Sequence, residues 1–189
     1  MKNRKIREIL KRKNTNPIVC LTAYSKTIAE ILDKYCDIIL VGDSLGTVLY
    51  GMKSTREVTL DMIINHAKSV KKGISKSIFI IDMPYQTYRN KKEAYKNARK
   101  IIKLTKCDAL KLEGGKKIIN TVKYLIKKNI PIMGHVGLLP QSVRGKFKFK
   151  GRNLSERKKI IKDAILLSDA GVIAIVIECV EESLAKFIT

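Results

Sequence analysis

Short apolar runs rich in β-branched residues recur along the chain, separated by longer stretches in which apolar positions return every three or four residues. The first kind of run suits a strand buried on both faces, and the second an amphipathic helix. Six strands are predicted, at 19–23, 38–41, 77–81, 109–112, 131–134 and 173–177. Between them fall helices at 26–34, 60–72, 91–105, 116–128 and 155–170, the last with Ser155 followed by Glu156 as its opening cap. This alternation is that of βα units around a parallel sheet. No Gly-, Ser- or Pro-rich linker interrupts it, so one continuous α/β domain over residues 1–189 is expected. The longest non-helical connector, GLLPQSVRGKFKFKGRN at 137–153, is basic with two aromatics, and its length suits an active-site cover as well as a solvated loop.

With 45% apolar residues, 189 positions can bury one sizeable core. No uninterrupted apolar stretch exceeds roughly ten residues, short of the ~20 a membrane helix needs. The opening MKNRKIREILKRKNTN has no apolar segment of the kind a secretory signal requires, although its basic, acid-poor first helix bears a slight likeness to an organelle transit peptide. Cys20, Cys36, Cys107 and Cys179 form no CxxC pair, which argues for reduced thiols in the cytoplasm and against a zinc knuckle or redox dithiol. The formal charge of +22 raises the question of a polyanion partner. Lysines outnumber arginines 30 to 9, are spread evenly and accompany 27 isoleucines, the signature of an AT-rich coding sequence. Compositional drift is the better explanation, and a specific nucleic-acid partner is not expected.

The informative pattern lies at the carboxyl ends of the predicted strands. Each carries a polar or ionisable group: Tyr24, Asp43, Asp82, Lys111 with Glu113, His135 and Glu178. Parallel barrels place their reacting groups there, whereas a structural carboxylate has no reason to recur at those positions. Carboxylates without a CxxC or HxxxH set favour a hard, oxygen-preferring cation, magnesium being the usual choice. Such an ion suits an α-keto acid, whose two oxygens can chelate it while charge develops as the neighbouring carbon loses a proton. A base is then required, and Glu178, flanked by Val176, Ile177 and Cys179, stands where desolvation would raise its pKa.

Six segments in order, VGDSLGTVLYGMKSTREVTLDMI, IIDMPYQTY, LKLEGG, MGHVGLLPQSV, KGR and IVIECV, make the whole chain resemble the ketopantoate hydroxymethyltransferases. The GDS element is shared with the wider phosphoenolpyruvate-mutase and isocitrate-lyase group. The resemblance implies a TIM-type (βα)8 barrel that transfers a hydroxymethyl group from 5,10-methylenetetrahydrofolate to 3-methyl-2-oxobutanoate, giving 2-dehydropantoate for pantothenate synthesis. By motif it assigns Asp43 and Asp82 to Mg2+, with Glu113 completing the metal surroundings. It assigns the keto acid to the same two aspartates with Ser44, Lys111 and His135, and proton abstraction to Glu178. His66 matches the family motif but falls within a helical pattern and is read as structural. No residue is assigned to the folate.

The resemblance further implies a homo-oligomer, since the family assembles into large rings. Ser25, Met52 with Lys53, and Lys150 depart from the family's usual residues, but none is among those assigned to the site. The family continues beyond the LAKFIT segment with a seventh and an eighth strand, so about six βα units are expected here, with the first and sixth strands exposing unpaired edges. Two further readings are an inactive or partner-dependent remnant of this enzyme and another α-keto-acid lyase or mutase of the same group. A GDSL-type esterase with Ser44 as nucleophile lacks the late DxxH dyad.

Overall fold

The computed structural model describes residues 4–13, 15–143 and 145–189; Arg144 of the long connector lies outside them. Six parallel strands are hydrogen-bonded in sequence order: β1 Cys20–Thr22, β2 Ile38–Val41, β3 Ile78–Asp82, β4 Ala109–Lys111, β5 Ile132–Gly137 and β6 Ala174–Glu178. Helices α1 Arg4–Lys11, α2 Lys26–Leu32, α3 Leu45–Leu49, α4 Leu60–Lys71, α5 Lys91–Thr105, α6 Ile119–Lys127, α7 Leu154–Asp169 and α8 Glu182–Ile188 complete the described elements, with 3-10 turns at Thr55–Glu57 and Pro140–Ser142.

The apolar runs are continuous because the central strands are covered on both sides. Ile39, Val41, Phe79, Ile81 and Leu110 face the helices, where α4 contributes Ile63, Ala67 and Val70 and α5 contributes Ala94, Ala98 and Ile101. The alternate residues Ile38, Leu40, Ile78, Ile80, Ala109 and Met133 form a second, inner cluster that includes Ile6 of α1. Helix α1 is thus an integrated part of the fold: Lys5 Nζ also donates to the carbonyls of Ser75 and Ser77, just before β3. That closes the amino-terminal side of the strands and leaves their carboxyl ends to the chemistry.

The sheet curls into six of the eight βα units of a TIM barrel, with β1 and β6 as its open edges among the described residues. All three β1 residues are exposed and every β6 residue is half-buried, as expected for unpaired edges. A cavity of about 850 Å3 between them is lined by apolar side chains such as Ile18, Met133, Ala174 and Val176, and contains none of the polar strand ends.

Several local expectations need correction. Helix α7 starts at Leu154 and is capped by Asn153, whose Oδ1 accepts from Glu156 N at 2.9 Å, so Ser155 lies inside the helix. Helix α6 begins at Ile119, because Lys116 N donates instead to Asp163 at 2.7 Å. The connector 137–153 begins inside β5, then makes a 3-10 turn that buries Gln141, so it is not simply a solvated loop.

Asp33, at the carboxyl cap of α2, fastens that helix to the approach to β3. Its carboxylate accepts from the amides of Ser75, Lys76 and Ser77 and from the Ser75 hydroxyl. Burial alone would raise its pKa, but these donors hold it well below the usual carboxylate range. A depressed folded pKa gives stability that is present above the unfolded value of about 4 and is lost as pH falls below it. Asp33→Asn is therefore expected to lower stability at pH 7 by about 2–3 kcal/mol, since buried donors lose a charged acceptor. The deficit should shrink toward pH 3, as urea midpoints at the two pH values would show.

Candidate functional site

The register of the parallel sheet assembles the polar strand ends. Asp82, the last residue of β3, pairs directly with Lys111, the last of β4, and their side chains meet at 2.7 Å with both almost fully buried. Asp43 follows β2 by two residues, and its amide donates to Asp82 Oδ2 at 3.1 Å. Gly42 allows this approach: a Cβ there would lie 2.9 Å from Ser44 Oγ and 3.4 Å from Asp82 Oδ2. Ser44 Oγ lies 2.7 Å from the hydroxyl of Tyr24, which joins the end of β1 to that of β2.

On the far side, His135 in β5 lies between two acids. Its Nδ1 is 3.8 Å from Glu113 and its Nε2 is 3.3 Å from Glu178, although neither nitrogen makes a well-aligned hydrogen bond. Glu113 is carried past β4 by a bridge in which Gly114 N donates to His135 O at 3.0 Å. Gly137, at φ +90°, passes so close to β6 that a Cβ would lie 2.4 Å from the Glu178 carbonyl. The tight passage fixes the backbone that presents Glu178.

The centre joining these walls is Gln141, 3% exposed on the Pro140–Ser142 turn. Its Nε2 donates to Asp43 Oδ2 at 2.7 Å and to Met83 O at 3.0 Å, its amide donates to Glu113 Oε2 at 3.0 Å, and its Oε1 accepts from the Tyr88 hydroxyl. One side chain and its backbone thus connect three strand ends.

The electrostatics follow from crowding three buried carboxylates around one cation. Burial and the charge of Asp82 push Asp43 up to about 7. Burial, with Asp43 adding to it against the pull of Lys111, pushes Glu113 up to about 8. Burial alone would lower the Lys111 pKa, yet Asp82, Glu113 and Asp43 together raise it, so the ammonium stays charged. Burial lowers the pKa of His135 despite the nearby Glu178, which leaves the ring neutral around pH 7. Above these pKa values the site carries more carboxylate than ammonium charge, and Asp82 Oδ1 is buried without an aligned hydrogen bond, 2.7 Å from the Lys111 ammonium. Both features fit a cation with oxygen ligands.

Asp43, Asp82, Lys111, Glu113 and His135 are brought together as the strand-end pattern anticipated, with Ser44 at the rim. Among the described residues, however, no three His, Cys, Asp or Glu side chains converge closely enough to hold an ion by themselves. Glu113 Oε2 accepts from Gln141 N at 3.0 Å, and its Oε1 lies 3.8 Å from His135 Nδ1. The two ring nitrogens of His135 face Glu113 and Glu178, where the sequence suggested a direct contact to a keto acid. The Glu178 side chain is 36% exposed, so it is only partly buried, as follows from its place on β6, an edge strand among the described residues. His66 is structural, its Nδ1 at 2.7 Å from Tyr24 O and its Nε2 at 2.9 Å from the Tyr50 hydroxyl. Tyr88 and Gln141 were not singled out from sequence; the LPQSV segment was the available signal for the latter.

Similarity to known proteins agrees with this geometry. Residues 3–189 match the family model described as ketopantoate hydroxymethyltransferase. A relative from Pelagibacter ubique (strain HTCC1062), named 3-methyl-2-oxobutanoate hydroxymethyltransferase, is 61% identical over 99% of this chain and 72% of its own length. Another of that name, from Rhizobium etli (strain ATCC 51251 / DSM 11541 / JCM 21823 / NBRC 15573 / CFN 42), is 48% identical over 94% of this chain, which spans 66% of it. In fold, the chain resembles 2,3-dimethylmalate lyase, a member of the PEP mutase/isocitrate lyase superfamily. That likeness has a TM-score of 0.69 at 11% identity over 97% of this chain and 65% of the lyase.

Proposed function

The chain belongs to the ketopantoate hydroxymethyltransferase family, and on that premise we propose that it adds a hydroxymethyl group to 3-methyl-2-oxobutanoate, with 5,10-methylenetetrahydrofolate as donor and 2-dehydropantoate as product. The observation that carries this reading is the buried Asp43–Asp82–Lys111 cluster at the strand ends, facing Glu178 across His135.

Asp43 and Asp82 are the residues that would hold Mg2+, an ion that is content with one or two carboxylates and completes its shell with water and substrate oxygens. When bound, it stabilises negative charge developing on the keto oxygen. Glu113 supports that pair from behind through Gln141. Ser44, backed by the Tyr24 hydroxyl, offers a hydrogen bond to the keto-acid carboxylate. Glu178 takes the proton from C3, and the electron pair left behind moves toward the keto oxygen. Its partial exposure leaves room for substrate to reach it, and neutral His135 lies 3.3 Å from it on the inner side. The Lys111 ammonium offsets the enolate charge. The enolate carbon then forms its bond to the methylene carbon of the opened folate iminium, and water provides the hydroxyl as tetrahydrofolate leaves.

Incubation of the purified chain with both substrates and Mg2+ should form 2-dehydropantoate, and EDTA should abolish the reaction reversibly. Product formation that survives thorough chelation would contradict the assigned role of Asp43 and Asp82. Gln141→Ala is expected to weaken Mg2+ binding about tenfold, within the usual range for groups that orient a metal ligand. Calorimetric titration of Mg2+ into the variant would test this without reference to turnover. The reading is compatible with a cytoplasmic, oligomeric enzyme. No described helix is long and apolar enough to cross a membrane.

A further inference from the structure

In the reading above the buried wall takes a small keto acid, whereas the folate donor of that reading is a large aromatic molecule with a carboxylate tail. One exposed segment has chemistry complementary to it. After the turn at Pro140–Ser142, lysine and phenylalanine alternate through Lys146, Phe147, Lys148, Phe149 and Lys150. Phe147 and Phe149 are 59% and 45% exposed, two phenyl groups left in water on one short segment. The guanidinium of Arg152 lies 5.2 Å from the centre of the Phe149 ring. Lys146 and Lys148 pair with no acid among the described residues, in contrast to Lys150, which approaches Glu156 at 4.0 Å.

The segment is fastened beside the proposed base. Lys150 N donates to Cys179 O at 2.8 Å, and Glu181 N donates to Lys150 O at 3.0 Å, so the strand end carrying Glu178 and the Lys-Phe segment are joined by backbone bonds. The carboxyl end of the segment is therefore held next to the end of the strand that carries Glu178.

We propose that Phe147, Phe149, Lys146 and Lys148 form the docking surface for the folate donor. The phenyl groups take up its aromatic rings, and the two ammonium groups pair with the carboxylates of its glutamate tail. This rests on the reading above that the donor is a folate. Exposed aromatic groups interleaved with cations also suit single-stranded nucleic acid. The position beside the strand end that carries Glu178 and the short span, two exposed rings and two exposed ammonium groups, favour a single small anion over a polymer.

The test uses the full chain, titrated with tetrahydrofolate in monoglutamate and triglutamate forms, with C3 proton exchange of the keto acid followed separately. Phe147→Ser combined with Phe149→Ser should weaken both folates about tenfold or more. Lys146→Gln combined with Lys148→Gln should remove the preference for triglutamate and its salt dependence. Neither variant should alter C3 exchange or the thermal midpoint, because all four side chains are exposed. Folate affinities equal to wild type in both variants would overturn the proposal. So would a wild-type chain that binds oligonucleotide but no tetrahydrofolate. Loop-dependent folate binding without C3 exchange would uphold the docking surface and refute the keto-acid half of the proposed function; exchange without folate binding would do the reverse.

Discussion

Glu178→Gln should reduce C3 proton exchange of 3-methyl-2-oxobutanoate by about 10²–10⁴-fold while leaving keto-acid binding nearly unchanged, the usual loss when a positioned general base is removed. The substitution keeps the shape of the side chain and its contact distance to His135 Nε2, 3.3 Å in the native protein, but removes the proton acceptor. Since the Asp43–Asp82–Lys111 cluster lies on the other wall, substrate affinity should persist. Ligand-observed NMR would measure binding, and proton NMR in deuterated water would measure exchange. A variant within tenfold of the native rate would move the base elsewhere.

Lys111→Met is expected to have the largest effect on stability. The ammonium is buried among Asp82, Asp43 and Glu113, and its removal leaves three buried carboxylates without their cation. Breaking a buried pair in this way costs about 3–5 kcal/mol. The pH dependence of the defect has a definite sign. Asp43 and Glu113 already have folded pKa values, about 7 and about 8, above their unfolded values of about 4. For such groups the folded state binds more protons, so stability is greatest at low pH and declines as pH rises through that interval. The Lys111→Met variant should therefore recover between pH 8 and pH 5.5, and Mg2+ should restore part of the loss at pH 8. Equal urea midpoints for variant and native protein at pH 8 would contradict the electrostatic account.

How much of this was visible in the sequence depends on how local each cause is. Strands β2 and β3 were legible because burial on both faces makes them unbroken apolar runs, IILV and IFIID, the latter ending on Asp82. The convergence of the polar strand ends was legible because a parallel sheet carries every strand end to one side, so position in the strand predicted position in the fold. Helix α3 was not, since five residues without a side-chain cap hold no readable periodicity. Gln141 escaped because its importance comes from contacts with Asp43, Met83, Tyr88 and Glu113, none of them near in sequence. The burial assumed for Glu178 failed for a related reason: apolar neighbours along β6 say nothing of whether another strand covers that edge, and here the whole strand is only half-buried. The capping of α7 shows the same limit at short range, where Ser155 was expected as the cap and Asn153, two residues earlier, takes that place.

The central claim is that the strand-end cluster of this chain activates C3 of an α-keto acid, and it is tested most directly without any folate. In deuterated water with Mg2+, the purified chain should replace the C3 proton of 3-methyl-2-oxobutanoate with deuterium, visible as loss of the methine signal and collapse of the methyl doublet. The exchange should stop with EDTA and with Glu178→Gln. A folded chain that binds Mg2+ and the keto acid yet leaves the C3 proton in place would contradict the account.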